Sequence, residues 1–170
     1  LQTVQRLSAE AVPVIGHVGL IPSKRTWTGG FKAVGKTADS ALQILNAVKA
    51  YEGAGAFGAE IEVVPSEVAA EISKRTTLFM VSMGAGTGCD AQYLFAEDVL
   101  GSNTGHYPRH AKRYRDFAAE HARLQKERIA AFAEFAGDVK SGAYPELRHE
   151  VSITPEEMGN FRKMLSAARL

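Results

Sequence analysis

Two glutamates and one histidine stand where residue type and spacing could do chemistry. Glu60 and Glu62 lie two apart in Gly58-Ala59-Glu60-Ile61-Glu62-Val63-Val64-Pro65. Side chains of an extended chain alternate faces, so the two carboxylates share one face while Ile61 and Val63 take the other. An ionised carboxylate in an apolar interior is very costly unless it is compensated. The face therefore looks into a polar site, or it is neutralised by arginines in a structural network. Pro65 cannot donate to a sheet and marks the strand's end. Ser66 is expected to cap the next helix, with Glu67 in its first turn. Glu62 then sits near the C-terminal end of a strand that feeds a helix, where catalytic groups of α/β barrels lie. His17 holds a similar place at the end of Val12–Leu20, either as a satisfied core histidine or as a site residue.

The elements that must position these groups alternate. Leu1 to Glu10 reads as the end of an amphipathic helix, with Val4 and Leu7 facing inward, and Val12–Leu20 as a buried strand. Residues 21–36 form a long glycine- and lysine-bearing loop containing Trp27 and Gly29-Gly30, the length of a functional lid. Thr37 caps a helix over 38–52, with Ala41, Leu42, Ile44, Leu45 and Val48 as its apolar stripe. The Glu60/Glu62 strand follows, then a helix over 67–74, a strand over Thr77–Met83 and a short apolar segment, Ala91–Phe95, that reads as a further strand. This order predicts a parallel sheet covered by helices. Gly84, Gly86 and Gly88 lack the spacing of a dinucleotide fingerprint and read as a tight turn needing positive φ or a close approach of backbone to a ligand. His106, His110, His121 and His149 read as surface residues. A long helix is expected from Arg109 to about Ala136, its stripe of Tyr114, Phe117, Leu124, Ile129, Phe132 and Phe135 serving the core or a subunit contact. Thr154-Pro155-Glu156-Glu157 starts a last helix that runs to about Arg169.

Bulk composition narrows the classes. The 170 residues carry a net charge of +1, with 45% hydrophobic and 23% charged residues, which suits a folded domain and gives no reason to propose nucleic acid or an anionic membrane as partner. No apolar run approaches the roughly 20 residues of a membrane span. The single cysteine, Cys89, forms no internal disulfide and fits a reducing cytoplasm. The first residues read as mid-helix without an initiator Met, which leads us to expect the back part of a longer polypeptide.

Taken together, the motifs resemble a known family. Val14-Ile15-Gly16-His17-Val18-Gly19-Leu20, then Gly29-Gly30-Phe31-Lys32 and Gly35, Glu62-Val63-Val64-Pro65, and Met83-Gly84-Ala85-Gly86 with Cys89-Asp90-Ala91-Gln92 are similar, in order and spacing, to ketopantoate hydroxymethyltransferases. Leu100-Gly101 through Pro108, Lys112-Arg113-Tyr114 and Ser141-Gly142-Ala143-Tyr144-Pro145 with His149 extend the resemblance over about 12–149.

The resemblance implies a (β/α)8 TIM barrel of the phosphoenolpyruvate mutase and isocitrate lyase type. This chain would supply the C-terminal half, strands 5–8 and their helices, over residues 1–153, with a C-terminal helical extension over 154–170. It implies transfer of a hydroxymethyl group from 5,10-methylenetetrahydrofolate to 3-methyl-2-oxobutanoate, giving 2-dehydropantoate, in a cytoplasmic homo-oligomer. Glu62 falls on the family's general base and His17 on its substrate-binding histidine. A C–H beside a ketone is a weak acid, so a placed and tuned base is required. Magnesium would stabilise the enolate; its carboxylate ligands and a substrate lysine are expected in the first half of the barrel, so no metal ligand is assigned in this chain. The same residues would also serve a carbon–carbon lyase or mutase of the superfamily, or a non-catalytic relative. Glu60 departs from the pattern, standing where the family has an apolar residue; a lysine or arginine from the first half is expected to neutralise it.

Overall fold

The computed structural model describes residues 1–24, 26 and 29–168. The chain forms two compact units, Leu1–Ala118 and Ala119–Leu170. The first is an α/β unit. Strands β1 (Ile15–Gly19), β2 (Gly58–Glu62), β3 (Phe79–Met83) and β4 (Ala91–Gln92) pair in parallel, in sequence order. Helix α1 (Gln2–Ala9) precedes β1, α2 (Ala38–Gly53) and α3 (Ser66–Ser73) lie between the first three strands, and α4 (Ala96–Leu100) follows β4. The expected alternation of strand and helix, and the parallel sheet, are present.

One sheet face makes the core. Val18, Ala59, Ile61 and Met80 are almost fully buried and pack with Ile44 and Val48 of α2 and Ala69 and Ile72 of α3. Full burial of the valine, isoleucine and methionine side chains stabilises by about 1.5–3 kcal/mol each, so this layer holds the sheet. Thr37 caps α2: its Oγ1 accepts from Ser40 N at 3.2 Å, while Thr37 N donates to Ser40 Oγ at 3.1 Å. The opposite sheet face runs in rows set by register. Ile15, Gly58 and Phe79 form one row, His17, Glu60 and Val81 the next, and Gly19, Glu62 and Met83 the row at the strands' C-terminal ends. The first of these rows is bare, with Ile15 54% and Phe79 41% exposed.

Several boundaries differ from expectation. β2 ends at Glu62 rather than Pro65 because Val63 takes φ 49°, outside the extended region. β3 starts at Phe79, since Thr76 and Thr77 are tied to Glu52 at the end of α2. Ser66 does not cap α3: Pro65 occupies the cap position with no side-chain bond, and Ser66 Oγ donates to Glu67 Oε2 at 3.1 Å. Trp27 lies outside the described residues.

The second unit carries most of α5 (Phe117–Ser141), then α6 (Pro155–Ala167). α5 starts later than the expected Arg109 and continues through Gly137, ending where Gly142 takes φ 78° and Ala143 N donates to Asp138 O. Its stripe is not core in this chain: Ile129, Phe132 and Phe135 are more than half exposed. Thr154 caps α6 as expected, accepting from Glu157 N at 3.3 Å, with Pro155 in the first turn. The expected end near Arg169 lies outside the described residues. Among the described residues no helix is long and apolar enough to cross a membrane.

Candidate active site

The site lies where β1 and β2 run side by side. His17 is in register with Glu60, and Glu62 is one row further toward the strands' C-terminal ends. His17 Nε2 is 2.9 Å from the Leu20 carbonyl oxygen and 3.0 Å from Glu62 Oε2. A carbonyl oxygen only accepts, so Nε2 carries a proton and shares it between the two oxygens. The other ring nitrogen, Nδ1, faces Glu60 Oε2 at 3.9 Å. The ring thus spans the two carboxylates, with a third of its side chain open to a ligand. Within this chain the group that meets Glu60 is therefore His17; no lysine or arginine among the described residues pairs with it.

Burial pushes the Glu62 carboxyl above its ordinary range; the nearby His17 pulls it down, and the like charge of Glu60 pushes it further up. Such a carboxylate gains more by taking up a proton than an exposed one does. The backbone around it is tightly held. Leu20 N donates to Glu62 O at 2.9 Å, Val63 N to Met83 O at 2.8 Å, and Val34 N to Val63 O at 3.1 Å. These bonds hold Val63 at a positive φ, which a β-branched side chain adopts only under strain. The reversal brings Val63, one residue after Glu62, onto the wall of the same cleft.

That cleft has a volume of about 860 Å³. Glu62, Val63 and Met83 line it from the strand ends. Phe31, Lys32 and Lys36 come from the loop after β1, and Phe95, His106, Arg109 and His110 from segments beyond β4. In the sequence His106 and His110 read as surface residues and Arg109 as the start of a helix. The structure keeps His106 exposed but aims both histidines and Arg109 at the cleft. The local signal that could have found them is a glycine. A Cβ on Gly84, whose φ is 67°, would come within 2.9 Å of the His110 ring, so the glycine loop after β3 admits the histidine. Gly86 and Gly88 pack likewise on α3: a Cβ would lie 2.5 Å from Ser66 Cβ and 2.4 Å from Ala70 Cβ. Gly84 and Gly86 serve the expected positive-φ turn, and the close approaches of the loop are to His110 and α3. Cys89 is no candidate nucleophile, because burial pushes its thiol up.

His17, Glu60 and Glu62 offer ligand atoms within 4.8 Å of one another, close enough to hold a cation. Two carboxylates around an imidazole suit a transition metal; magnesium prefers an all-oxygen octahedron. With Nε2 committed to the Leu20 carbonyl and Glu62, this donor set does not fit magnesium.

The family model for ketopantoate hydroxymethyltransferase matches residues 1–147. Among curated proteins, the 3-methyl-2-oxobutanoate hydroxymethyltransferase of Halalkalibacterium halodurans is 37% identical over 153 residues, 90% of this chain and 52% of the relative. Its namesake in Enterococcus faecalis is 35% identical over 90% of this chain and 53% of its own length. That of Nitrosopumilus maritimus is 31% identical over 98% of this chain and 57% of its own. The chain therefore spans about half the length of the curated relatives it matches. A match from residue 1 to residue 147 of 170, over the strands that carry His17 and Glu62, places the chain in the ketopantoate hydroxymethyltransferase family.

Proposed function

We propose that this chain is the C-terminal half of a (β/α)8 barrel, strands 5–8 with their helices over residues 1–153, followed by a helical extension over 154–170. The intact protein transfers a hydroxymethyl group from 5,10-methylenetetrahydrofolate to 3-methyl-2-oxobutanoate, giving 2-dehydropantoate. The half-barrel reading draws on the parallel strand order, the bare inward row at Ile15 and Phe79, and the half-length match to the relatives.

The observation that carries the chemistry is Glu62, a buried carboxylate at the end of β2 with its affinity for a proton raised by burial. Glu62 takes the proton from C3 of the oxo acid, and the resulting enolate forms a C–C bond to the donor's one-carbon unit; one water supplies the hydroxyl oxygen as both C–N bonds to that carbon break, and the folate nitrogens take up protons to leave as tetrahydrofolate. His17 fixes the carboxylate through Nε2–H and keeps an open ring edge for the substrate. Val63 and Met83 line the cleft beside the base. Magnesium, which we place on carboxylates outside this chain, would polarise the oxo acid's carbonyl when bound. Copies of the protein associate through the exposed apolar stripes of α5 and α6 into a homo-oligomer.

The test incubates the intact protein with 3-methyl-2-oxobutanoate, with and without methylenetetrahydrofolate, and follows 2-dehydropantoate. Product that requires both substrates supports the reading. Turnover of the oxo acid by carbon–carbon cleavage without the folate overturns it.

A further inference from the structure

Resting on the reading of Glu62 as the base, we propose that His17, Glu60 and Glu62 together bind one divalent transition-metal ion of the zinc kind, which holds the base inactive. Three observations lead there. The first is the orientation of the imidazole. The Leu20 carbonyl, 2.9 Å from Nε2, accepts the ring's proton and leaves Nδ1 with its lone pair. A histidine that binds a metal almost always gives its other ring N–H to a carbonyl or a carboxylate, and that bond aims the ring. His17 has both partners at Nε2, the Leu20 carbonyl and Glu62 Oε2.

The second is the distance on the other side of the ring. Nδ1 lies 3.9 Å from Glu60 Oε2, too far for a hydrogen bond. Zinc sits about 2.0–2.2 Å from nitrogen and oxygen ligands, so a shift of roughly half an ångström brings both atoms into one coordination shell. The third is the convergence of charge. Glu62 brings a third donor, and the three ligand atoms lie within 4.8 Å of one another. Glu62 is only 8% exposed, and the side chain of Glu60 beside it only 20%. An imidazole that keeps its Nδ1 lone pair balances neither carboxylate, whereas a doubly charged ion balances both. One imidazole and two carboxylates are three protein ligands with a position left open, an arrangement that zinc accepts and that magnesium, which keeps to oxygen, does not. All of these distances lie within the paired strands β1 and β2 and the residue that follows β1, so they do not depend on what completes the sheet. An ion on the Glu62 carboxylate ties up the lone pair that takes the C3 proton, so occupancy of the site stops the reaction at its first step.

The experiment uses the intact protein in excess magnesium, with zinc as the probe. Equilibrium dialysis with elemental analysis measures the zinc bound by the parent and by Glu60→Gln. X-ray absorption at the zinc edge reads the ligands in the parent. The parent should bind zinc at least about tenfold more tightly than Glu60→Gln, with an imidazole nitrogen among the ligands. Exchange of the C3 proton of 3-methyl-2-oxobutanoate with solvent should fall in the parent in step with the zinc bound, and a chelator should restore it. Equal zinc binding by the parent and Glu60→Gln overturns the inference, the result expected if a lysine or arginine from the rest of the barrel pairs with Glu60. A parent spectrum with oxygen ligands alone overturns it as well, without recourse to any variant. Zinc held through the imidazole with proton exchange undiminished would leave the metal site standing and overturn Glu62 as the base.

Discussion

Replacing Glu52 by glutamine tests how the start of β3, the neighbour of the strand that carries Glu62, is anchored. Glu52, at the end of α2, accepts from Lys49 Nζ at 2.7 Å, from Thr77 N at 2.6 Å, from Thr77 Oγ1 at 2.8 Å and from Thr76 Oγ1 at 3.0 Å. The bond from Lys49, then those from Thr77 and Thr76, hold its carboxyl down at about 2 against an ordinary 4.5. At about 1.4 kcal/mol per tenfold change, that difference corresponds to at most about 3.5 kcal/mol of preference for the ionised form. The side chain keeps 21% exposure and meets solvent, so screening reduces the contribution to about 1–2 kcal/mol. The sign follows from the lowered value. The stabilisation is complete above the unfolded carboxyl's pKa and is lost as pH falls from about 4.5 through about 2. Denaturant unfolding of the parent and of Glu52→Gln at a series of pH values reads it. At pH 7 the variant should be less stable by about 1–2 kcal/mol, and the two should converge toward pH 2. Equal stability at pH 7, or a difference unchanged at low pH, would refute the idea that Glu52 clamps the start of β3.

Three further outcomes follow from the same structure. Val63→Gly should leave stability within about 1 kcal/mol of the parent, because relief of the positive-φ strain offsets the lost side chain and the more flexible unfolded chain; Val64→Gly, which empties a core site at 3% exposure, should cost about 2–4 kcal/mol. Equal losses in their denaturant midpoints would show that Val63 is not strained. Glu60→Gln removes a like charge beside Glu62, so the acid limb of the pH–rate profile should move to lower pH, whereas an unmoved limb would mean that another cation already neutralises Glu60. Deleting residues 154–170 removes the exposed Phe161, Met164 and Leu165, and should shift sedimentation toward smaller species; an unchanged profile rules that helix out of the homo-oligomer contact.

Much of this arrangement was legible in the residues. The two-residue spacing put Glu60 and Glu62 on one face, and β-rich apolar runs marked each strand within a few residues. Thr37 and Thr154 signalled their helices because caps are local chemistry. What the sequence withheld depends on distant partners. That His17 bridges the two glutamates follows from the β1–β2 register, which no local pattern states. The early end of β2 arises from bonds that Val63 makes to Met83 and Val34, far away in the chain. Lys32, Lys36, Arg109 and His110 come to the cleft on loops, where neither periodicity nor composition tells which way a side chain turns. Pro65 displaced Ser66 from the cap because two adjacent residues both suited the position, and packing chose between them.

The account stands or falls on Glu62 as the proton acceptor. Glu62→Gln keeps the shape of the side chain. Because burial raises the native carboxyl, its contribution to stability is greatest below the unfolded pKa and is lost as pH rises through the raised value, so the amide should not weaken the fold at pH 7. The direct measurement is exchange of the C3 proton of 3-methyl-2-oxobutanoate with deuterated solvent, followed by NMR on the intact protein with magnesium present. The parent should exchange that proton, and Glu62→Gln should lower the rate by about 10² or more while still binding the oxo acid. Exchange at the parental rate in a folded Glu62→Gln protein would contradict the account.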